Sequence, residues 1–296
     1  MSFEGFRSIL AAFDGSQNSV QACEVAAMLA KEYGSKLVVT YAIPPINIYS
    51  APLRSEYYST MDSSAAKEVQ KGLALCSKLG VDAKSAVLHA RTSIVSSIAD
   101  CATDNGCDLI VAGTRGLGGF RKMLVGSVSS GLVSRAPSPV LVVRQKEGKS
   151  WNPTIRHILV ATDGSKSATR AVAISANLAK TLAADLTALH VVHLSPFIYS
   201  AVDAPIDEIE EEARREGEKA VKEAATLAED VGVKTTRKIL ADTQPPVPAI
   251  TTYARKNDVD LIVLGTRGLG GFKKLVLGSV ASGVLNYAHC SVLVTR

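Results

Sequence analysis

DLIVAGTRGLGGFRKMLVGS, Asp108–Ser127, recurs 152 residues later as DLIVLGTRGLGGFKKLVLGS, Asp260–Ser279. Each copy runs from an almost wholly apolar segment into a glycine-rich one. The apolar part reads as a central parallel strand, buried on both faces. Gly113 and Gly265 end that strand, and Gly116 and Gly268 follow three residues on. Gly126-Ser127 and Gly278-Ser279 then open a helix. Glycine is costly to order and gives a core no side chain, so these places need bare backbone.

The repeat reaches beyond the glycines. FRSILAAFDGS, Phe6–Ser16, answers IRHILVATDGS, Ile155–Ser165, at an offset of 149. The difference between the two offsets puts three extra residues in the second copy. They fit best near the loop where Ile48-Tyr49-Ser50-Ala51 answers Ile198-Tyr199-Ser200-Ala201. QKEGKSWNPT, Gln145–Thr154, is polar with Gly and Pro and reads as a linker. The expected domains are therefore 1–145 and 155–296.

Strand and helix signals alternate through each copy. SILAAF is a short buried strand, and Ser16 or Asn18 can cap a helix running to about Tyr33. KLVVTYAI follows as a strand, then a Pro-rich loop from Pro44 to Thr60. The next helix carries Ala65, Val69, Gly72, Cys76 and Leu79 on one stripe, matched by Gly217, Val221, Ala224, Ala228 and Val231. Strands at KSAVL and RKIL, helices near 94–105 and 247–257, and last strands PVLVVR and SVLVTR complete the units. Such alternation implies a parallel sheet with helices on both faces, and ligands on such sheets sit at the carboxyl ends of strands.

The bulk numbers fit. The 296 residues suffice for two cores; 47% are hydrophobic, 21% charged and 5% aromatic. The net charge of +5 is dispersed, without the basic arm or stripe of a nucleic-acid binder. No apolar run is long enough to span a bilayer, and MSFEGFRSILAAFDGS lacks signal-peptide character. Five cysteines without a CxxC read as reduced, mostly buried thiols in a cytoplasmic protein.

The start of a helix offers unpaired N–H groups and a positive dipole end. With a glycine loop it makes an anion site, best matched by phosphate. Ser127 and Ser279 can add a hydroxyl. Asp14 and Asp163 fall at the end of the first strand, on the same edge. A carboxylate there can accept from a ribose or a base; the alternative is an Asx-type cap within Asp-Gly-Ser.

With both glycine patterns in place, each after DLIV and each with an upstream Asp, the chain resembles the universal stress protein family over both halves. The family pattern G-x2-G-x9-G-[S/T] is met by Gly113, Gly116, Gly126 and Ser127, and by Gly265, Gly268, Gly278 and Ser279. The resemblance implies two tandem five-stranded parallel α/β domains of Rossmann type, akin to the adenine-nucleotide α-hydrolases. It implies binding of ATP or another adenine nucleotide, with or without Mg²⁺ or Mn²⁺. Carried over by position, adenine and ribose fall to Ala12, Phe13, Asp14 and Ala42, and to Ala161, Thr162, Asp163 and Val191. Phosphates fall to Gly116, Gly126, Ser127, Val128 and Ser129, and to Gly268, Gly278, Ser279 and Val280. Ala281 answers Ser129, so the second site lacks one hydroxyl, worth about 0.5–1.5 kcal/mol.

Other signals carry less. Gly148-Lys149-Ser150 imitates a P-loop end but has Val143 where the first glycine belongs. His190 and His193 point to opposite faces of a strand, a poor metal pair. Arg115 and Arg267 either pair with phosphate or brace the loop. Arg121, Lys122, Lys273 and Lys274 read as solvated. The Ile-Tyr-Ser-Ala loops are a lid or a contact between halves. Ser127, Ser129 and Ser279 are candidate phosphorylation sites by resemblance alone.

Three functions stay open. The first is a regulatory nucleotide binder with little or no turnover, without catalytic residues or a metal site of its own, serving an unidentified protein partner. The second is a weak ATP hydrolase or autophosphorylating enzyme. The third is a nucleotide-independent interaction module. The family also implies pairing through the last strands, as a homodimer or an intrachain pseudo-dimer.

Overall fold

The computed structural model describes residues 3–46, 51–114, 116, 125–146, 148–194, 206–241, 244–266 and 277–296. Two compact units emerge: one spans residues 6–154, the other 155–296 together with the first five residues.

In the first unit the strands are β1 (Ser8–Ala12), β2 (Lys36–Ile43), β3 (Ala83–His89), β4 (Leu109–Gly113) and β5 (Val140–Val143). The helices are α1 (Gln17–Tyr33), α2 (Ala51–Lys78), α3 (Ile94–Asp104) and α4 (Ser127–Arg135). The sheet order is β3-β2-β1-β4-β5, all parallel. The second unit repeats this with β6 (His157–Ala161), β7 (Asp185–Val192), β8 (Thr235–Ala241), β9 (Leu261–Gly265) and β10 (Ser291–Thr295), ordered β10-β9-β6-β7-β8. Its helices are α5 (Lys166–Leu182), α6 (Ile206–Glu229), α7 (Pro246–Lys256) and α8 (Ser279–Tyr287).

The chain first winds outward from β1 to β3, then crosses back to β4 and winds the other way. Right-handed crossovers thus place α1 and α2 on one face and α3 and α4 on the other. The helix pairs α1·α2 and α3·α4 pack accordingly. β1 and β4 are enclosed on both sides: Ile9, Leu10, Leu109 and Ile110 are wholly buried. This explains their unbroken apolar runs. Each inner strand is also anchored at its start. Asp108 accepts from the amides of Arg7 and Ser8, at 3.0 and 3.1 Å. Asp260 accepts from those of Arg156 and His157, at 2.8 and 2.9 Å.

Two expectations need correction. The loop expected over 44–60 gives way early to α2, which starts at Ala51. Pro52 suits a first helical turn, where its missing N–H costs nothing. Leu79, placed on the buried stripe, lies just past α2 and is 37% exposed. Gly80, at φ +75°, has already turned the chain there. Among the described residues no helix is long and apolar enough to cross a membrane.

Candidate functional site

The strand order reverses between β1 and β4, and between β6 and β9. At such a switch point flanking loops leave in opposite directions and open a crevice at the carboxyl edge. Ala12 pairs with Ala112 across it, so Phe13-Asp14 and Gly113-Thr114 emerge side by side. The repeated sequence therefore delivers its two marked segments to one place in each unit.

Asp14 opens an Asx turn: Oδ1 accepts from the Ser16 amide at 3.0 Å. Ser16 then caps α1, accepting from the Ser19 amide at 3.3 Å. Asp163 and Ser165 repeat both contacts, at 3.1 and 3.3 Å. Asp14 Oδ2 lies against Gly116, so close that a β-carbon on Gly116 would overlap it. The glycine loop and the upstream carboxylate thus meet.

Gly113 has a different reason to be glycine. A β-carbon there would sit 2.6 Å from the carbonyl carbon and oxygen of Asn18, in the first turn of α1. Gly265 is equally tight against Ser167, with 2.8 Å to its carbonyl carbon. These glycines let a helix start press on the end of a strand.

Gly126 caps α4 without a side-chain hydrogen bond, and its amide donates to Thr114 O at 2.6 Å. Ser130 closes the first helical bond, to Gly126 O at 3.0 Å. The amides of Ser127, Val128 and Ser129 have no carbonyl four residues back within the helix. Gly278 and Ser282 repeat the pattern at α8, leaving Ser279, Val280 and Ala281 in the same position. The Ser129 hydroxyl is already engaged: it is buried and donates to Gly113 O at 2.5 Å. The contact that Ser129 can offer an anion is its amide.

The second strand completes each crevice. Ala42 and Val191 are half-buried near the ends of β2 and β7. Phe13 and Thr162 are buried, while Ala12 and Ala161 close the strands. Arg115, Arg267 and Gly268, the Ile48 and Ile198 loops, and Arg121, Lys122, Lys273 and Lys274 lie outside the described residues.

Three neighbours were not placed at the site from the sequence, Asn18 among them, which was read only as a possible helix cap. Glu68 of α2 lies against Gly15 and pairs with Lys71 at 2.6 Å. Tyr41 sits beside them; burial first, then the negative charges of Asp14 and Glu68, push its phenol up. Asn18 faces Gly113 and meets Thr114 Oγ1 at 3.3 Å. Spacing could have found Glu68, since it stands four residues before Gly72 on the buried stripe.

The universal stress protein family model matches residues 5–144 and again 154–296. The chain belongs to the universal stress protein family. A relative from Methanocaldococcus jannaschii is 37% identical over 48% of this chain and 82% of its own length. One from Mycobacterium bovis is 28% identical over 97% of this chain and 94% of its own. The crystal structure of a universal stress protein from Archaeoglobus fulgidus superposes with a TM-score of 0.73 at 21% identity, covering 99% of both chains. The two-unit architecture is thus a tandem form of the family fold.

Proposed function

We propose that each half binds an adenine nucleotide, ATP foremost, in its switch-point crevice, and that the chain acts as a regulatory binder with little or no turnover. The observation that supports this best is the meeting of Asp14 with Gly116 beside the amides of residues 127–129. Adenine and ribose lie towards Ala12, Phe13, Asp14 and Ala42, with Asp14 accepting from ribose hydroxyls. A carboxylate has about four acceptor positions, so its bond to Ser16 leaves it able to do so. The phosphates meet Gly116, Gly126 and the start of α4, where amides and helix dipole oppose their charge. Asp163, Val191, Gly278, Ser279 and Val280 repeat the arrangement, with Arg115 and Arg267 as candidate phosphate partners.

Among the described residues no three His, Cys, Asp or Glu side chains converge to hold a metal. Mg²⁺ or Mn²⁺ in this reading arrives on the phosphates. Little turnover is expected because Thr114, Ser127 and Ser129 around the start of α4 offer only hydroxyls and amides, while Asp14, the carboxylate beside Gly116, is given to the ribose in this reading and already accepts from the Ser16 amide.

Calorimetric titration of the full chain with ATP tests the reading, beside a phosphate-release assay. Saturable binding that weakens in Gly116→Val, with release at background, supports it. Release well above background that vanishes in Gly116→Val favours an enzyme. Absence of binding to wild type, with no nucleotide released from freshly purified protein, leaves the interaction module.

A further inference from the structure

In the first unit one stripe of α2 joins the crevice to a pair of thiols. Glu68, Gly72 and Cys76 follow at intervals of four residues, one turn apart on the same face. Glu68 lies against Gly15, and Gly72 against Phe13 and Val39. Cys76 meets Cys23 of α1 with 3.6 Å between the sulfurs. Both cysteines are fully buried, and the Cys23 thiol also reaches Gly72 O at 3.9 Å. The positions answering Cys23 and Cys76 in the second unit are Val172 and Ala228, equally enclosed. The same fold is therefore closed there by aliphatic side chains, and packing alone does not demand two facing thiols. The proton shared between the sulfurs, with burial, pushes Cys23 up; the same hydrogen bond draws Cys76 down. Either sulfur can carry the proton between them.

We propose that Cys23 and Cys76 form a reversible dithiol–disulfide couple, oxidised by a hydroperoxide, that fixes α2 against α1 beside the first-unit crevice. The thiolate of one cysteine of the pair attacks one peroxide oxygen and the O–O bond breaks. That cysteine becomes a sulfenic acid, and the departing hydroxide takes up the proton it lost, leaving as water. The facing sulfur gives up its proton and attacks the sulfenic sulfur. The S–S bond forms, the S–O bond breaks, and a second water leaves. Two thiols and one hydrogen peroxide thus yield one disulfide and two waters. A disulfide holds its sulfurs near 2.05 Å, so the pair closes by about 1.5 Å. α2 carries that shift one and two turns along, to Phe13 and Gly15. Because both sulfurs are buried, oxidation proceeds through local opening of α2. Its first turns, at residues 52–56, are exposed. The couple stands whether or not the crevice takes a nucleotide.

The test uses the reduced full chain, exposed to stoichiometric hydrogen peroxide and then alkylated with iodoacetamide in guanidinium. The expected result is that two of the five cysteines escape alkylation and a non-reduced digest yields a linked Cys23–Cys76 peptide pair. Dithiothreitol restores both thiols. The double variant Cys23→Val with Cys76→Ala, which copies the second unit, keeps its three remaining thiols alkylatable. Hydrogen exchange slows around residues 68–76 on oxidation of wild type and is unchanged in the variant. Full alkylation of all five thiols, after exposure that oxidises dithiothreitol completely, overturns the proposal. So does a link between any other pair, or a sulfinic acid as the end product at either position. A disulfide that leaves exchange around residues 68–76 unaltered overturns the role given to α2.

Discussion

Gly113→Ala separates a packing glycine from a ligand glycine. The added carbon would stand 2.6 Å from the backbone carbon and oxygen of Asn18 and 2.9 Å from its β-carbon. Ordinary contacts begin near 3.4 Å, so three overlaps of roughly 0.5–0.8 Å must be relieved together. None falls on the far end of a flexible side chain. Asn18 lies in the first turn of α1, held by the Ser16 cap and the Asp14 turn. α1 must therefore move as a body, and it packs on β1 and β4. Overpacking of a close-packed site costs about 1–3 kcal/mol, and a backbone clash belongs at the upper end, about 2–3 kcal/mol. For a unit of this size that is a fall of about 4–12 °C in Tm. Guanidinium unfolding followed by circular dichroism reads the cost, with ATP titration run on the same preparation. Gly265→Ala, against Ser167, gives a comparable loss in the second unit. A Gly113→Ala protein with wild-type stability and selectively weakened nucleotide binding would refute the packing argument.

Gly116→Ala meets Asp14 Oδ2, the end of a side chain that can turn; stability changes by less than about 1 kcal/mol, whereas calorimetry shows weaker ATP binding as Asp14 is displaced. Ser129→Ala leaves the buried Gly113 carbonyl without its hydroxyl donor and costs about 1 kcal/mol in denaturant unfolding; a loss above about 3 kcal/mol would contradict the tolerance that Ala281 implies. Asp108→Ala frees two strand amides from a charged acceptor and lowers stability by about 1.5–3 kcal/mol without altering nucleotide affinity; Asp260→Ala behaves alike. Glu68→Ala, which copies Ala220, removes a negative charge beside the crevice and tightens ATP binding about two- to fivefold at low salt, with the gain shrinking as salt is raised.

Much of the fold was legible because its strongest constraint is written locally. DLIVAG and SILAAF are apolar without alternation because β1 and β4 are covered on both faces. Ser16 and Ser165 announce helix starts because a hydroxyl must serve amides that the helix leaves unpaired. The course of α2 was less legible. Its first turns are exposed, so no apolar period marks them, and the nearby prolines outweighed weak helix signals. At the crevice the spacing located Gly116, Gly126 and Asp14 but not their division of labour. Gly113 and Gly116 look alike in a motif; only the nearness of Asn18 to one and of Asp14 to the other distinguishes them. Ser129 reads as a phosphate hydroxyl until its partner, Gly113 O, is in view.

The two copies then show which constraints a repeat keeps. The inner strands, LIVAG against LIVLG above all, and the caps Ser16 and Ser165, Gly126 and Gly278, and Asn105 and Asn257 recur, whereas Pro245 stands in place of Ser93 and Ala183 in place of Gly34. Around the crevice the copies part, and one change explains another. His190 stands where the first unit has Tyr41; its Nδ1 meets Thr162 O at 2.8 Å. The ring lies so near Gly217 that a β-carbon there would come within 2.6 Å of Cδ2. Ala65 occupies that helix position in the first unit. Histidine at 190 and glycine at 217 are therefore one accommodation. Likewise Ala220 lies 3.7 Å from the place a β-carbon on Gly164 would take, where Glu68 brings a carboxylate to Gly15. Among the described residues, Glu68 brings its carboxylate to Gly15 in the first unit, whereas in the second the acidic start of α6, with Asp207, Glu208 and Glu212, stands beside Leu194 just past β7. The turn at the end of the first strand is kept in both copies, and the acidic side chains of the helix beside it are placed differently, because that helix face is not fixed by the packing of the inner strands.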